Sequence, residues 1–207
     1  MTGSASDVLV VVDMQNDFMP GGALAVPEGD TIVPLVNRLA ARFAHVVLTQ
    51  DWHPAGHRSF ASSHPGRQPF AAIELSYGSQ ILWPDHCVQD SAGAALHRDL
   101  KIPHAELIIR KGYNAAVDSY SAFREADGTP TGLAGYLRER GLQRVFVVGL
   151  ALDFCVAFTA RDAAAAGFPT VAVEDACRAI DTSGSLAAAR EAMAAAGVTV
   201  GGSDAVV

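Results

Sequence analysis

The sequence predicts a three-layer α/β/α sandwich around a central six-stranded parallel sheet, and three observations lead to it. Short apolar runs alternate with alanine- and leucine-rich stretches of helical length, a succession that calls for parallel strands joined by right-handed crossovers. The runs are almost continuously apolar, as strands covered on both faces are. Several of them close on a polar residue, and in such sheets ligands bind outside the carboxyl ends of the strands.

The first run, Asp7 to Val12, ends against Asp13. A Pro-Gly-Gly loop from Pro20 leads to a helix over 31–44, with Asp30 as its cap, Pro34 tolerated in the first turn, and Leu35, Val36, Leu39 and Phe43 on one face. His45 to Gln50 reads as the second strand and meets Asp51. From 51 to about 104 the periodicity fails and Pro, Gly, Ser and His dominate, yet Trp52, Phe60, Phe70, Tyr77 and Trp83 argue for an ordered, functional loop region. Glu106 to Arg110 is the third strand, followed by Lys111-Gly112. A helix over 132–140 precedes the buried strand 144–149, and Cys155 then falls in the first turn of an alanine-rich helix with Asp153 as its cap. A strand at 170–174, a helix at 185–196 and a short strand at 198–200 complete the six.

Half of the 207 residues are hydrophobic and 18% are charged, an ordinary balance for a chain that folds by itself. No linker, repeat or charge run divides it, so one domain is expected over 1–207. A net charge of -7 offers no basic stripe to nucleic acid or an anionic membrane, which leaves small molecules as partners of a monomer or homo-oligomer. Cys87, Cys155 and Cys177 are an odd number without close pairing, which suggests neither a disulfide framework nor a cysteine-based zinc site. The stretch Met1 to Ser6 is not a basic leader before an apolar segment, and no run approaches ~20 apolar residues. A cytoplasmic location is expected.

Asp13, Asp51, Lys111 and Cys155 all stand at or just beyond the carboxyl ends of expected strands, hence on one rim. A polar residue often finishes a buried strand without function, but four on one rim are a constellation. Lysine occurs here only at Lys101 and Lys111, and a compact ammonium can be desolvated and tuned as a guanidinium cannot. Cys155 is a candidate nucleophile, because the unpaired N–H groups and dipole of a helix start favour a thiolate; a free cysteine is as often a small buried hydrophobe. Asp51 and His53, two apart in an extended segment, direct both side chains the same way, a spacing suited to a metal. His57 follows, and His86 lies in Trp83-Pro84-Asp85-His86-Cys87. Mixed oxygen and nitrogen donors suit Zn, Mn or Fe(II), with open positions for water or substrate. His45, His64, His97 and His104 lack such company and read as surface or structural.

Val12-Asp13-Met14-Gln15-Asn16-Asp17-Phe18, Asp51-Trp52-His53-Pro54-Ala55-Gly56-His57, Trp83-Pro84-Asp85-His86-Cys87, Lys111-Gly112 and Gly149-Leu150-Ala151-Leu152-Asp153-Phe154-Cys155 together resemble the nicotinamidase branch of the isochorismatase-like cysteine hydrolases. The match spans nearly the whole chain. The resemblance implies hydrolysis of nicotinamide to nicotinate and ammonia through a Cys155 thioester, in NAD salvage, with pyrazinamide also deaminated. It implies a Cys155, Asp13 and Lys111 triad. It further implies one divalent metal ion, zinc foremost with iron or manganese as alternatives, held by Asp51, His53 and His86 and open to the pyridine nitrogen. His57 is an additional ligand candidate, since some relatives use a further histidine from this loop where others use water. Phe18, Trp83 and Tyr120 match pocket-lining aromatics, suited to a flat heteroaromatic ring. A cis peptide before Ala151 is implied too, with the N–H groups of Ala151 and Cys155 as an oxyanion hole. Leu152 departs from the Thr of many relatives and is expected to affect packing alone. A sibling amidase for ureido or carbamoyl substrates shares the triad and would lack the metal. A signalling receiver domain fits poorly, because Met14 follows Asp13 and no aspartate closes the third strand.

Overall fold

Strand β1 (Asp7–Val12) is buried along its whole length, which explains why its sequence is an unbroken apolar run rather than an alternation. In the computed structural model, which describes residues 4–206, it is a central strand of the sheet. Met1–Gly3, part of the stretch inspected for a leader, and Val207 lie outside the described residues. β2 (His45–Asp51) pairs with β1 on one side, and β5 (Leu107–Lys111) pairs with β2. On the other side come β6 (Arg144–Leu150), β7 (Thr170–Arg178) and β8 (Thr199–Gly201). All five pairings are parallel, and the order is β5-β2-β1-β6-β7-β8. The six-stranded parallel sheet is as the sequence predicts.

That order has one reversal, between β1 and β6. The chain moves outward through β2 and β5, returns to β6, and moves outward the other way through β7 and β8. Right-handed crossovers then put α1 (Val33–Ala40) on one face and α2 (Leu133–Glu139), α3 (Ala157–Ala165) and α4 (Ser185–Ala195) on the other. α2 is tied to the end of α3, where Arg138 Nη2 donates to Ala166 O at 2.7 Å. The loops leaving β1 and β6 diverge to opposite faces and leave a crevice at the sheet's carboxyl edge, where ligands bind in open α/β sheets. Val12 is in register with Gly149, so Asp13 and the turn carrying Cys155 both begin at this crevice.

The first helix starts later than the sequence reading. Gly29–Ile32 forms a 3-10 turn, α1 begins at Val33, and Asp30 lies inside the turn without capping anything. Pro34 sits in the first turn, as expected. The irregular region holds a two-stranded hairpin, β3 (Ala72–Leu75) and β4 (Gly78–Ile81), which the sequence reading missed. Four residues per strand are too few to establish a period. Asp153 is also corrected: it caps no helix start. Its carboxylate accepts the N–H groups of Ile180 and Asp181 at 3.1 and 2.8 Å and the Ser185 hydroxyl at 2.5 Å. It therefore ties the nucleophile turn to the segment entering α4.

Candidate active site and metal centre

β6 delivers Cys155 through a tight passage. Gly149 has φ +114°, and a Cβ there would run into the backbone of Val12, so only glycine lets β6 leave the sheet beside β1. The Leu150–Ala151 peptide is cis, and Leu152–Val156 forms a π-helical turn before α3. Ala151 O accepts both the Phe154 and Val156 N–H groups at 3.1 Å.

Asp13 follows β1 with φ +46°. Its N–H donates to Thr49 Oγ1 at 3.0 Å, and the same hydroxyl donates to Asp13 Oδ1 at 2.5 Å. Lys111 ends β5, two strands away from β1, and only a long side chain crosses that distance. The fully buried Lys111 Nζ lies 2.8 Å from Asp13 Oδ2, contacts Asp51 Oδ1, donates to Ser119 O at 3.2 Å and lies 3.4 Å from Cys155 Sγ. Asp13 Oδ2 is buried with Lys111 as its ion-pair partner and has no hydrogen-bond partner of good geometry. Ligand atoms of Asp13, Asp51 and Cys155 all lie within 4.8 Å of one another.

The electrostatics follow from this burial. Desolvation raises Asp13, and the Asp51 charge adds to it, while Lys111 opposes. Burial alone would raise Asp51 as well, but Lys111 and His53 outweigh it and hold this carboxyl well below the usual range. Lys111 would lose its proton to burial were it not for Asp13 and Asp51, which keep it charged. Burial pushes the Cys155 thiol well up; Lys111 opposes, and the two carboxylates reinforce the rise. The sequence reading expects a helix start to acidify the thiol, but loss of water first, and then the two carboxylates, push it the other way, so a nucleophilic Cys155 calls for a base.

Asp51 divides its two oxygens. Oδ1 faces Lys111, and Oδ2 lies 3.6 Å from both His53 Nε2 and His86 Nε2. Each imidazole donates its other nitrogen to a backbone carbonyl: His53 Nδ1 to Gly112 O at 2.9 Å, His86 Nδ1 to Pro84 O at 2.8 Å. A carbonyl only accepts, so Nδ1 carries a hydrogen in both rings, and in the neutral form of each imidazole the Nε2 lone pair faces the carboxylate. Donors about 2.0–2.2 Å from a tetrahedral ion lie about 3.3–3.6 Å apart, and this set fits one divalent cation. Gly112 makes room for it, with φ +65° and a Cβ position occupied by the His53 ring.

His57 stands behind His53, their rings 4.4 Å apart. Its Nε2 donates to Asn114 O at 2.9 Å, and its Nδ1 pairs with the Ser59 hydroxyl at 2.7 Å. Both ring nitrogens thus have protein partners. His53, His57 and Asp118 nonetheless bring ligand atoms within 4.8 Å of one another. His45 pairs with Glu106 at 3.0 Å, and His64 and His104 bond backbone carbonyls, structural roles as expected.

A small pocket opens onto these groups, lined by Phe18, Trp83, His86, Tyr120, Ala151 and Cys155 among others. Trp83 Nε1 donates to Tyr120 Oη at 2.9 Å, and Phe154 packs edge-on against Trp83 at 4.9 Å. Sequence reasoning missed three polar residues here. Asp118 lines the pocket, Gln80 on β4 donates to Asp118 Oδ2 at 2.7 Å, and Gln15 holds Asp51 by its backbone. None carries a strand-end or metal-spacing signal; Gln80 lies in the unrecognised hairpin.

Fold, rim and donor set define a class, and comparison agrees with it. The pattern describing the isochorismatase domain matches residues 7–205, and the chain belongs to that family. Among its relatives, the nicotinamidase of Acinetobacter baylyi is 57% identical over 191 residues, covering 92% of this chain and 89% of the relative. The solved nicotinamidase and pyrazinamidase structure from Acinetobacter baumannii superposes with a TM-score of 0.97 at 57% identity, covering 99% of each chain. The pyrazinamidase of Pyrococcus horikoshii, solved in complex with zinc, superposes with a TM-score of 0.78 at 37% identity, covering 95% of this chain and 99% of that one. Among the described residues, no helix is long and apolar enough to cross a membrane.

Proposed function

We propose that this chain is a metal-dependent nicotinamidase, hydrolysing nicotinamide to nicotinate and ammonia in cytoplasmic NAD salvage and accepting pyrazinamide, whose ring also presents a nitrogen meta to the carboxamide-bearing carbon. The observation that carries this reading is the division of Asp51, one oxygen on Lys111 beside the thiol and the other on two imidazoles, within one aromatic pocket. The relatives' activities support it.

Asp13 Oδ2 takes the thiol proton as Cys155 Sγ attacks the carboxamide carbon. Lys111 stays charged and holds the two carboxylates apart. The N–H groups of Ala151 and Cys155 receive the developing oxyanion. The C–N bond breaks, ammonia leaves with the proton that Asp13 carried, and an acyl thioester remains on Sγ. Asp13, again a carboxylate, takes a proton from water as that water adds to the thioester; the C–S bond breaks, Asp13 returns the proton to Sγ, and the acid product leaves as nicotinate after losing its own proton to solvent. Asp51, His53 and His86 would hold the divalent ion, zinc first, and the ion would supply a Lewis acid for the ring nitrogen. Phe18, Trp83 and Tyr120 sandwich the ring.

The test is ammonia release from nicotinamide, measured before chelation, after it, and after zinc, iron or manganese is returned. Turnover that disappears on chelation and returns with metal is expected. Full turnover in metal-stripped protein, or turnover only of carbamoyl substrates, would overturn the reading in favour of a sibling amidase.

A further inference from the structure

The segment between β1 and the pocket aromatic Phe18 contains three polar residues to which the mechanism gives no task, Gln15, Asn16 and Asp17, and the first and last of them reach the metal loops. The Gln15 side chain is fully buried and holds both peptide groups of Asp51: Oε1 accepts the Asp51 N–H at 2.8 Å, and Nε2 donates to Asp51 O at 2.8 Å. The remaining amide hydrogen goes to Ala94 O at 2.8 Å, so every donor of this carboxamide has a partner. Two residues on, Asp17 Oδ2 accepts the N–H of Cys87 at 2.7 Å, next to His86, and Oδ1 accepts the Ala23 N–H at 3.2 Å. Asp17 packs so closely on Gly93 that a Cβ there would overlap its carboxylate. Asn16 adds a bond to Ala92 O at 2.8 Å.

We propose that residues 15–17 act as a splint that presets the metal donors, Gln15 fixing Asp51 and Asp17 fixing the turn that carries His86. Both are positioning residues, because neither touches the metal, the substrate or the thiol. A carboxylate that must serve two imidazoles and an ammonium has little angular freedom, and its backbone is held at both hydrogen-bonding groups, which removes rotation of the whole residue. His86 comes from a loop more than 30 residues after His53, and that loop pairs with the His53 segment, where the His53 N–H donates to Cys87 O at 3.0 Å and the Gln89 N–H to His53 O at 2.8 Å. Asp17 adds a separate tie, holding the Cys87 N–H from the end of β1. The inference rests on the metal reading of Asp51, His53 and His86.

The experiment measures zinc affinity directly, by competition with a chromophoric chelator, in the parent protein and in Gln15→Met, Asp17→Asn, His53→Ala and the distant core variant Leu137→Ala. Gln15→Met and Asp17→Asn are expected to weaken zinc by about 10- to 100-fold, the usual effect of losing such outer support. At saturating zinc, Gln15→Met should mainly lower kcat, since Asp51 also holds Lys111, and Asp17→Asn should mainly raise KM. Leu137→Ala, which only lowers Tm, should keep zinc affinity within twofold of the parent. If His53→Ala retained zinc, the metal reading itself would fail. If His53→Ala lost zinc while Gln15→Met and Asp17→Asn kept affinity within twofold, or if Leu137→Ala weakened zinc as much as they do, the splint would be overturned. Should Gln15→Met not fold, Asp17→Asn decides alone.

Discussion

Burial, reinforced by two nearby carboxylates, pushes the Cys155 thiol up against the opposing Lys111, so the proposed nucleophile calls for Asp13 as its base. Replacing Cys155 by Ala removes the atom that bonds to the acyl group, and ammonia release should fall roughly 10⁴-fold or more. Zinc content should stay unchanged, since no metal donor comes from Cys155; residual turnover near the parent rate would refute the nucleophile. The base leaves its own mark. Asp13 accepts a proton only as a carboxylate, and burial raises its pKa from the usual 3.8. Activity is therefore present above the raised value and lost as pH falls through it. The acid limb of kcat/KM, which reports the free enzyme, should fall above the ordinary carboxylate range with zinc kept saturating. A limb at or below pH ~4 would show that Asp13 is not the group titrating. The shared rim was readable because strand ends place Asp13, Lys111 and Cys155 together; the roles proposed for them came from the family resemblance. The thiol's direction of shift was not readable, because it depends on how completely water is excluded, which no local sequence records.

β1 and β6 place the chemistry by lying side by side where the strand order reverses, and Gly149 is what permits it. Gly149→Ala puts a Cβ into the Val12 backbone at a φ of +114°, so β6 must move away from β1 or the turn must shift. A loss of more than about 2 kcal/mol is expected for such a clash. At ~2–4 °C per kcal/mol for a chain of this size, Tm should drop by several degrees. Cys155 should move with the turn, so kcat should fall even at temperatures where the variant stays folded; a variant with parent Tm and kcat would refute this placement. All six strands of the sheet were legible, β1, β2 and β6 because burial on both faces writes an apolar run, and the partly exposed β5, β7 and β8 from shorter apolar stretches. The β3–β4 hairpin was not, since its strands are short, half-exposed and contain Glu74, Ser79 and Gln80. Asp153 was misread for a different reason. An acid before a helix looks like a cap, but here its partners at Ile180, Asp181 and Ser185 come from a segment ~30 residues away, and such a contact has no local signature.

Metal occupancy should couple the site to the stability of the chain as a whole. Asp51 ends β2, His53 follows it in the loop, and His86 arrives after the hairpin, so an ion shared by the three joins segments that an unfolded chain leaves apart. A ligand that binds only the folded state stabilises it by RT ln(1 + [L]/Kd), about 2.7 kcal/mol at 100 times Kd. With ~2–4 °C per kcal/mol, zinc at that concentration should raise Tm by roughly 5–11 °C over chelated protein. His53→Ala should abolish most of that shift, while Cys155→Ala should keep it, because the thiol lies outside the donor set Asp51, His53 and His86. Calorimetry of the three proteins with and without zinc separates the cases. An unchanged parent Tm at a zinc concentration that fully restores ammonia release would mean that these segments are not joined by the ion. The Asp51 carboxylate would then act through Lys111 alone.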